Sequence, residues 1–228
     1  MGEILKTFAG WVVAPHEMHS DTNSAKAAIQ NISIYPPMFK AAFGSETVTF
    51  KNISRAIAQF IRTLISSNSK FDRYIRGEEN LLSQELSGYA IFNTEKGDCF
   101  HCHGTILFTT NLYYNNAKDS VFTDTRDRYA VTLDLSDKGA YKATTLRNIS
   151  LTGPYMHDGR FATLDDVINF YSEGLVWSPY VNPLMKKVNE GGVHLTPSEK
   201  ADLKAFLLTL SDSDFVTNPA FSKPAGLP

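Results

Sequence analysis

Cysteine is nearly absent from this 228-residue chain, which has two, Cys99 and Cys102. Two cannot make a disulfide framework for a chain of this size. An excess of charge of either sign is also missing: 22 Lys and Arg face 24 Asp and Glu, and neither sign gathers into a long block. Binding to nucleic acid through a basic face is therefore not expected. No apolar run approaches the roughly 20 residues that a bilayer-crossing helix needs, because charges or proline break the longest candidates. Internal repeats and low-complexity tracts are lacking, and strand signals are few. The N-terminal stretch Met1 to Ala14 has one Lys6, one Glu3 and a short apolar run from Phe8, with Pro15 immediately after. That is a poor export signal, and the stretch reads as mature sequence with any such signal missing.

What is present describes an ordinary globular protein, with 43% hydrophobic and 20% charged residues. The length suits one large domain or two small ones, able to bury about 70% of the unfolded surface. Helical periodicity dominates. Phe50, Ile53, Ile57, Phe60 and Leu64 recur at three and four, predicting a helix from Thr49 to Ile65 with Thr49 as N-cap. A second helix is expected from Ser83 through Leu86, Ala90 and Ile91. A third starts at Thr163, with Asp165 and Asp166 favouring the positive end of the dipole and Leu164, Val167, Ile168 and Tyr171 on its apolar face. A fourth has Thr196 as N-cap, Pro197 next, Glu199 closing a capping box, then Leu203, Phe206, Leu207 and Leu210. About sixty residues rich in Asn, Asp, Thr and Gly precede Thr163, with turn signals at Asn115-Asn116 and Lys138-Gly139. A boundary is expected near Asn68 to Asp72.

Both cysteines fall in Cys99-Phe100-His101-Cys102-His103, the Cys-x-x-Cys-His pattern of covalent haem c attachment. The thiols add to the two vinyl groups of the porphyrin, and the adjacent His103 reaches the iron as proximal ligand. A redox dithiol would want a thioredoxin-like βαβ setting, whereas these surroundings are helical. A structural zinc site would use Cys99, Cys102 and His103 with a fourth ligand and normally a second knuckle. Covalent haem is the favoured reading; it leaves neither cysteine for a disulfide and implies a periplasmic location. For the opposite face of the iron, spacing alone offers Met156, His157, Tyr171, Met185 and His194.

Several segments together resemble the bacterial dihaem cytochrome c peroxidase family, which includes the MauG-type enzymes. They are Ala14-Pro15-His16-Glu17-Met18, Ser67 to Tyr74, the haem motif, Thr145-Leu146-Arg147-Asn148-Ile149, Gly153-Pro154-Tyr155-Met156-His157-Asp158-Gly159, and the helix from Leu195 to Leu210. The resemblance implies an all-α chain: a cytochrome c-like haem domain with long irregular loops, at residues 70–228, preceded by the helical end of a first domain. Residues 1–69 would be the remnant of that first, peroxidatic haem domain without its own Cys-x-x-Cys-His. The chain is then either a fragment or a one-haem relative. Trp11 and Trp177 do not match the tryptophan that the family places between its haems.

The resemblance also assigns roles. The second-domain ligand of the peroxidases is a methionine fourteen residues after the histidine of the Tyr-Met-His-Asp-Gly segment; here that position is Tyr171, as in MauG-type members. Glu17 matches the acidic residue beside the peroxide-binding haem, a general acid-base for peroxide cleavage, while the family's glutamine ten residues earlier is Thr7 here. His157 would order the haem pocket or propionates, and the backbone carbonyls of Thr152 and Pro154 match calcium ligands. Expected cofactors are haem c, a second haem in the full architecture, and calcium. Expected partners are hydrogen peroxide and a small cytochrome or cupredoxin donor, or a protein substrate in MauG-like chemistry, with a homodimer also allowed. The rival reading is a monohaem electron-transfer module with no peroxidase activity of its own.

Overall fold

The computed structural model describes residues 10, 12–14, 17–123 and 126–224. Thr7, Trp11, Pro15 and His16 lie outside the described residues. The chain divides into two compact units, Met1–Ile65 and Ser66–Pro228.

In the first unit, α1 (Thr22–Gln30) starts where the Asp21 carboxylate accepts from the amides of Asn23 and Ser24. Helix α2 (Tyr35–Phe43) has proline in its first turn and stops at Gly44, whose φ of 79° is left-handed. Helix α3 (Phe50–Thr63) is capped by Thr49, as its sequence predicts. Val12, Phe39, Val48 and Ile53 form the core, with Ile29, Phe50 and Ile57 packed against them. The apolar stripe of α3 is buried only in its first half. Phe60 and Leu64 are 46% and 37% exposed, and the apolar cluster of this unit includes Ile53 and Ile57 but neither of them.

The second unit begins with α4 (Lys70–Ile75), closed by a reciprocal capping box between Ser69 and Asp72. It continues through α5 (Ser83–Phe92), the single turn α6 (Phe100–His103), β1 (Tyr113–Tyr114), α7 (Tyr129–Thr132) and β2 (Tyr141–Lys142). Helices α8 (Leu164–Glu173), α9 (Pro197–Leu208) and α10 (Ser213–Val216) complete it. Thr163 with Asp166 and Thr196 with Glu199 form the capping boxes that start α8 and α9. The small antiparallel ribbon sets Tyr113 opposite Lys142 and Tyr114 opposite Tyr141, a minor departure from an all-α fold.

The core of this unit is aromatic. Phe206 of α9, fully buried, has the rings of Phe71, Tyr89, Phe92 and Phe108 with centroids 5.2 to 6.1 Å away. Such tilted and edge-on contacts suit the ring quadrupoles. Helices α5 and α9 approach closely at Gly88, where a Cβ would stand 1.9 Å from the carbonyl oxygen of Asp202. A backbone atom cannot give way as a flexible side chain would. Gly88→Ala is therefore expected to destabilise this unit by about 3 kcal/mol, read as a lower urea midpoint with an unchanged slope.

The long segment between α6 and α8 is organised by buried polar groups rather than by regular ladders. Asn115 donates to the carbonyl of Lys138 at 2.9 Å, so the two turn signals of the sequence meet in space. The buried Asp127 accepts from the amide of Gly139 at 2.7 Å.

Candidate functional site

Helix α5 delivers the chain to the cysteines through a tight return in which the Gly97 amide donates to the Ile91 carbonyl. A Cβ at Gly97 would lie 2.5 Å from that oxygen, so only glycine fits. The amides of Cys102 and His103 then donate to the Cys99 carbonyl at 3.3 and 3.1 Å. One helical turn thus carries Cys99, Cys102 and His103.

His103 Nδ1 lies 2.8 Å from the carbonyl oxygen of Phe108. A carbonyl only accepts, so Nδ1 carries the proton and Nε2 keeps its lone pair. Burial holds this imidazole below its ordinary range, although the carbonyls of Phe108 and Thr144 oppose the shift. Both cysteines are half-buried free thiols. Burial, with the Asp98 carboxylate adding to it, pushes Cys99 up to about 12 and Cys102 up to about 11.

Of the residues that spacing offers as a further ligand, the fold gathers three. Met156, Tyr171 and Met185 pack against buried Ala117, Phe170 and Leu175. The Tyr171 hydroxyl accepts from Asn116 Nδ2 at 3.1 Å, and the same nitrogen is 3.7 Å from Met156 Sδ. Burial pushes the Tyr171 phenol up to about 12; the Asn116 donor opposes this, and the charges of Cys102 and Cys99 add to it. His194 is elsewhere: it is exposed, and its Nε2 donates to the Glu190 carbonyl at 2.7 Å. His157 is exposed and stacks on Tyr141 at 3.5 Å with nearly parallel rings. A cavity of about 440 Å³ opens there, lined by Asn116, Lys118, Tyr141, His157 and Arg160 among others.

Thr152 and Pro154 lie in an exposed loop containing the cis Gly153–Pro154 peptide. Glu17 is exposed in a turn of the first unit, its amide donating to the Ala14 carbonyl at 3.1 Å.

Sequence reasoning missed Asn116, which read only as a turn residue. It also missed the environment of His101. There Nδ1 donates to Asp98 at 2.7 Å and Nε2 faces the Lys186 ammonium at 3.4 Å, which also holds both Glu95 oxygens at 3.0 Å. Arg147 belongs to a segment the sequence picked out, but its partner was not legible. Its guanidinium grips Asp72 through two bonds of 2.8 Å and reaches the Ile106 carbonyl at 3.0 Å, while its Nε is buried with no acceptor.

Burial pushes the Asp72 carboxyl up, but the bonds from Arg147 and Ser69 override it and hold it below the usual range. The stability this contributes is complete above the unfolded carboxyl value of about 3.9 and is lost as pH falls through the lower folded value. Asp72→Asn, which strands Arg147, is expected to cost about 3 kcal/mol at neutral pH. Urea titrations between pH 7 and 3 should show the parent losing stability more steeply below pH 4 than this variant.

Residues 3–80 match the family model described as di-haem cytochrome c peroxidase. The chain is 32% identical over 201 residues to the methylamine utilization protein MauG of Methylophilus methylotrophus, an alignment covering 87% of this chain and 58% of that protein. It is 39% identical over 168 residues to the cytochrome c551 peroxidase of Nitrosomonas europaea, covering 70% and 48%. Among solved structures, a MauG-like protein associated with microbial copper homeostasis superposes with a TM-score of 0.85 at 31% identity, covering 97% of this chain and 72% of that one. The chain spans about half the length of these curated relatives.

Proposed function

Because this chain belongs to the dihaem cytochrome c peroxidase and MauG family, we propose that it carries the C-terminal, electron-transferring haem c of a peroxide-reducing oxidoreductase. One observation carries this reading. Two free thiols share a helical turn with a histidine whose Nδ1 is committed to a backbone carbonyl, leaving Nε2 as the ligand atom.

The residues present fit haem. Cys99 and Cys102 offer thiols for thioether bonds, His103 an oriented imidazole, and Tyr171 a half-buried oxygen ligand. Arg147 Nε, a buried N–H without an acceptor, is the kind of donor that a propionate carboxylate satisfies. His157, beside the cavity, would order the pocket. Held by Cys99, Cys102 and His103, haem would supply redox-active iron for electron transfer. Tyr171 as a phenolate favours the ferric state and lowers the potential, where a thioether would raise it.

Glu17 is assigned to the other half of the chemistry. Reducing hydrogen peroxide to two waters consumes two electrons and two protons, and the leaving oxygen must be protonated as the bond breaks. If the full architecture held a second haem next to it, the Glu17 carboxylate could take the proton from one oxygen and return it to the other. The donor is a small cytochrome or cupredoxin, or a protein side chain that is itself oxidised. Thr152 and Pro154 are exposed residues whose backbone carbonyls are of the kind calcium takes as oxygen ligands. Covalent haem c attachment would imply a periplasmic location. No helix among the described residues is long and apolar enough to cross a membrane.

The lone Cys-x-x-Cys-His motif favours a second reading, a monohaem electron-transfer module. Purified from a host that matures cytochromes, the chain should retain one haem after denaturation, and the double variant Cys99→Ala, Cys102→Ala should retain none. A colourless parent would refute the haem assignment. Peroxide turnover with a reduced small cytochrome separates enzyme from module. Tyr171→Met should raise the reduction potential markedly, and an unchanged potential and spectrum would exclude ligation by Tyr171.

A further inference from the structure

We infer that Asn116 is the positioning residue that holds Tyr171, rather than Met156, as the second axial ligand. This rests on the Tyr171 assignment above and adds to it the device that makes the choice. Tyr171 and Met156 belong to one apolar cluster, so both an oxygen and a sulfur donor stand at the same place. The Asn116 amide has two N–H groups. Its nitrogen is 3.1 Å from the phenol oxygen and 3.7 Å from the thioether sulfur, so a single group engages both candidates at once.

The two bonds act in the same direction. Donation to the phenol oxygen stabilises negative charge there, and charge-assisted bonds of this kind are the strong ones. It also fixes the orientation of that oxygen, leaving its remaining lone pairs for the metal. Donation to Met156 engages a sulfur that would otherwise be free to coordinate. Loss of the amide therefore weakens the oxygen ligand and releases its competitor.

Asn116 is held firmly enough for this task. The preceding Asn115 is 2% exposed; its Oδ1 accepts from the Ala117 amide at 3.1 Å and its carbonyl from the Asn182 amide at 3.1 Å. The following Ala117 is fully buried, and its carbonyl accepts from the Val176 amide at 2.8 Å. The backbone is pinned on both sides of Asn116. Met156 is held in the left-handed region with φ 71°, a conformation that a non-glycine residue keeps only when its surroundings impose it.

The test uses mature holoprotein carrying Asn116→Leu, which removes the donor, and Asn116→Asp, which keeps the shape and replaces the donor by an acceptor. Resonance Raman spectra of the ferric parent should contain phenolate modes. Both variants should lose them, gain the weak far-red absorption of thioether-ligated ferric haem, and shift in potential upward, in the direction expected of Tyr171→Met. Adding Met156→Leu to Asn116→Leu should abolish the new absorption. Variants with intact phenolate modes and the parental potential would overturn the role of Asn116 while leaving Tyr171 as ligand. A parent without phenolate modes would overturn the Tyr171 assignment itself.

Discussion

Phe108 ties the chemistry of this chain to its core through two different parts of one residue. Its ring, 4% exposed, meets Phe71, Phe92 and Phe206 at 5.4, 5.8 and 6.1 Å between centroids. Its carbonyl accepts from His103 Nδ1 and from the Leu146 amide at 3.3 Å. A φ of 52° makes both possible, turning the carbonyl toward the histidine while the ring stays in the core. That left-handed conformation costs on the order of 1–2 kcal/mol for an aromatic residue, which burial of its ring offsets. From Leu146 the connection runs to Arg147 and the buried carboxylate of Asp72 in α4. The orientation of the His103 imidazole is therefore a consequence of aromatic packing around the Phe108 ring.

The same burial bears on the redox reading of the cysteine pair. A redox dithiol works because its thiolate is stabilised. Here the thiols are pushed the other way, Cys99 up to about 12 and Cys102 up to about 11, by burial with the Asp98 carboxylate adding to it. Neutral, half-buried thiols beside a neutral imidazole suit covalent attachment to an apolar ring better than redox exchange. The haem c that the family implies would also account for how about sixty residues of little regular structure belong to a folded unit, since a large apolar cofactor would take the place of missing side chains.

Much of this was legible in the sequence, and the limits have physical causes. The start of α8 at Thr163, the capping box at Thr196, the apolar face of α9 and the irregular segment before α8 are local, and local rules found them. The Cys99 to His103 motif is also local, a single turn whose spacing is its chemistry. What could not be read is long-range and polar. Asn116 bonds a tyrosine fifty-five positions away, and Arg147 a carboxylate seventy-five positions away. Neither pairing leaves a periodic trace. Phe60 and Leu64 show the opposite failure, since periodicity marks which face of α3 is apolar but not how far along it other side chains extend.

Irregular segments still need a device to set their register, and here it is a buried cation. The Lys118 side chain is 4% exposed, and its ammonium meets Asp158 at 2.7 Å and Asp119 at 2.9 Å. Arg160 reaches the same two carboxylates at 2.8 Å, so two cations and two anions close into one network. Burial pushes the Asp158 carboxyl up, but its bonds from Lys118 and Arg160 prevail and hold it far below the usual carboxylate range. Such networks are weak evidence of added stability, but breaking one partner strands a buried charge, so they penalise every other register. Lys118 is two residues beyond Asn116, and Asp158 two beyond Met156. The network therefore fastens together the two loops whose side chains meet at Tyr171, and an ion pair supplies there the alignment that a hydrogen-bonded ladder would give in a sheet.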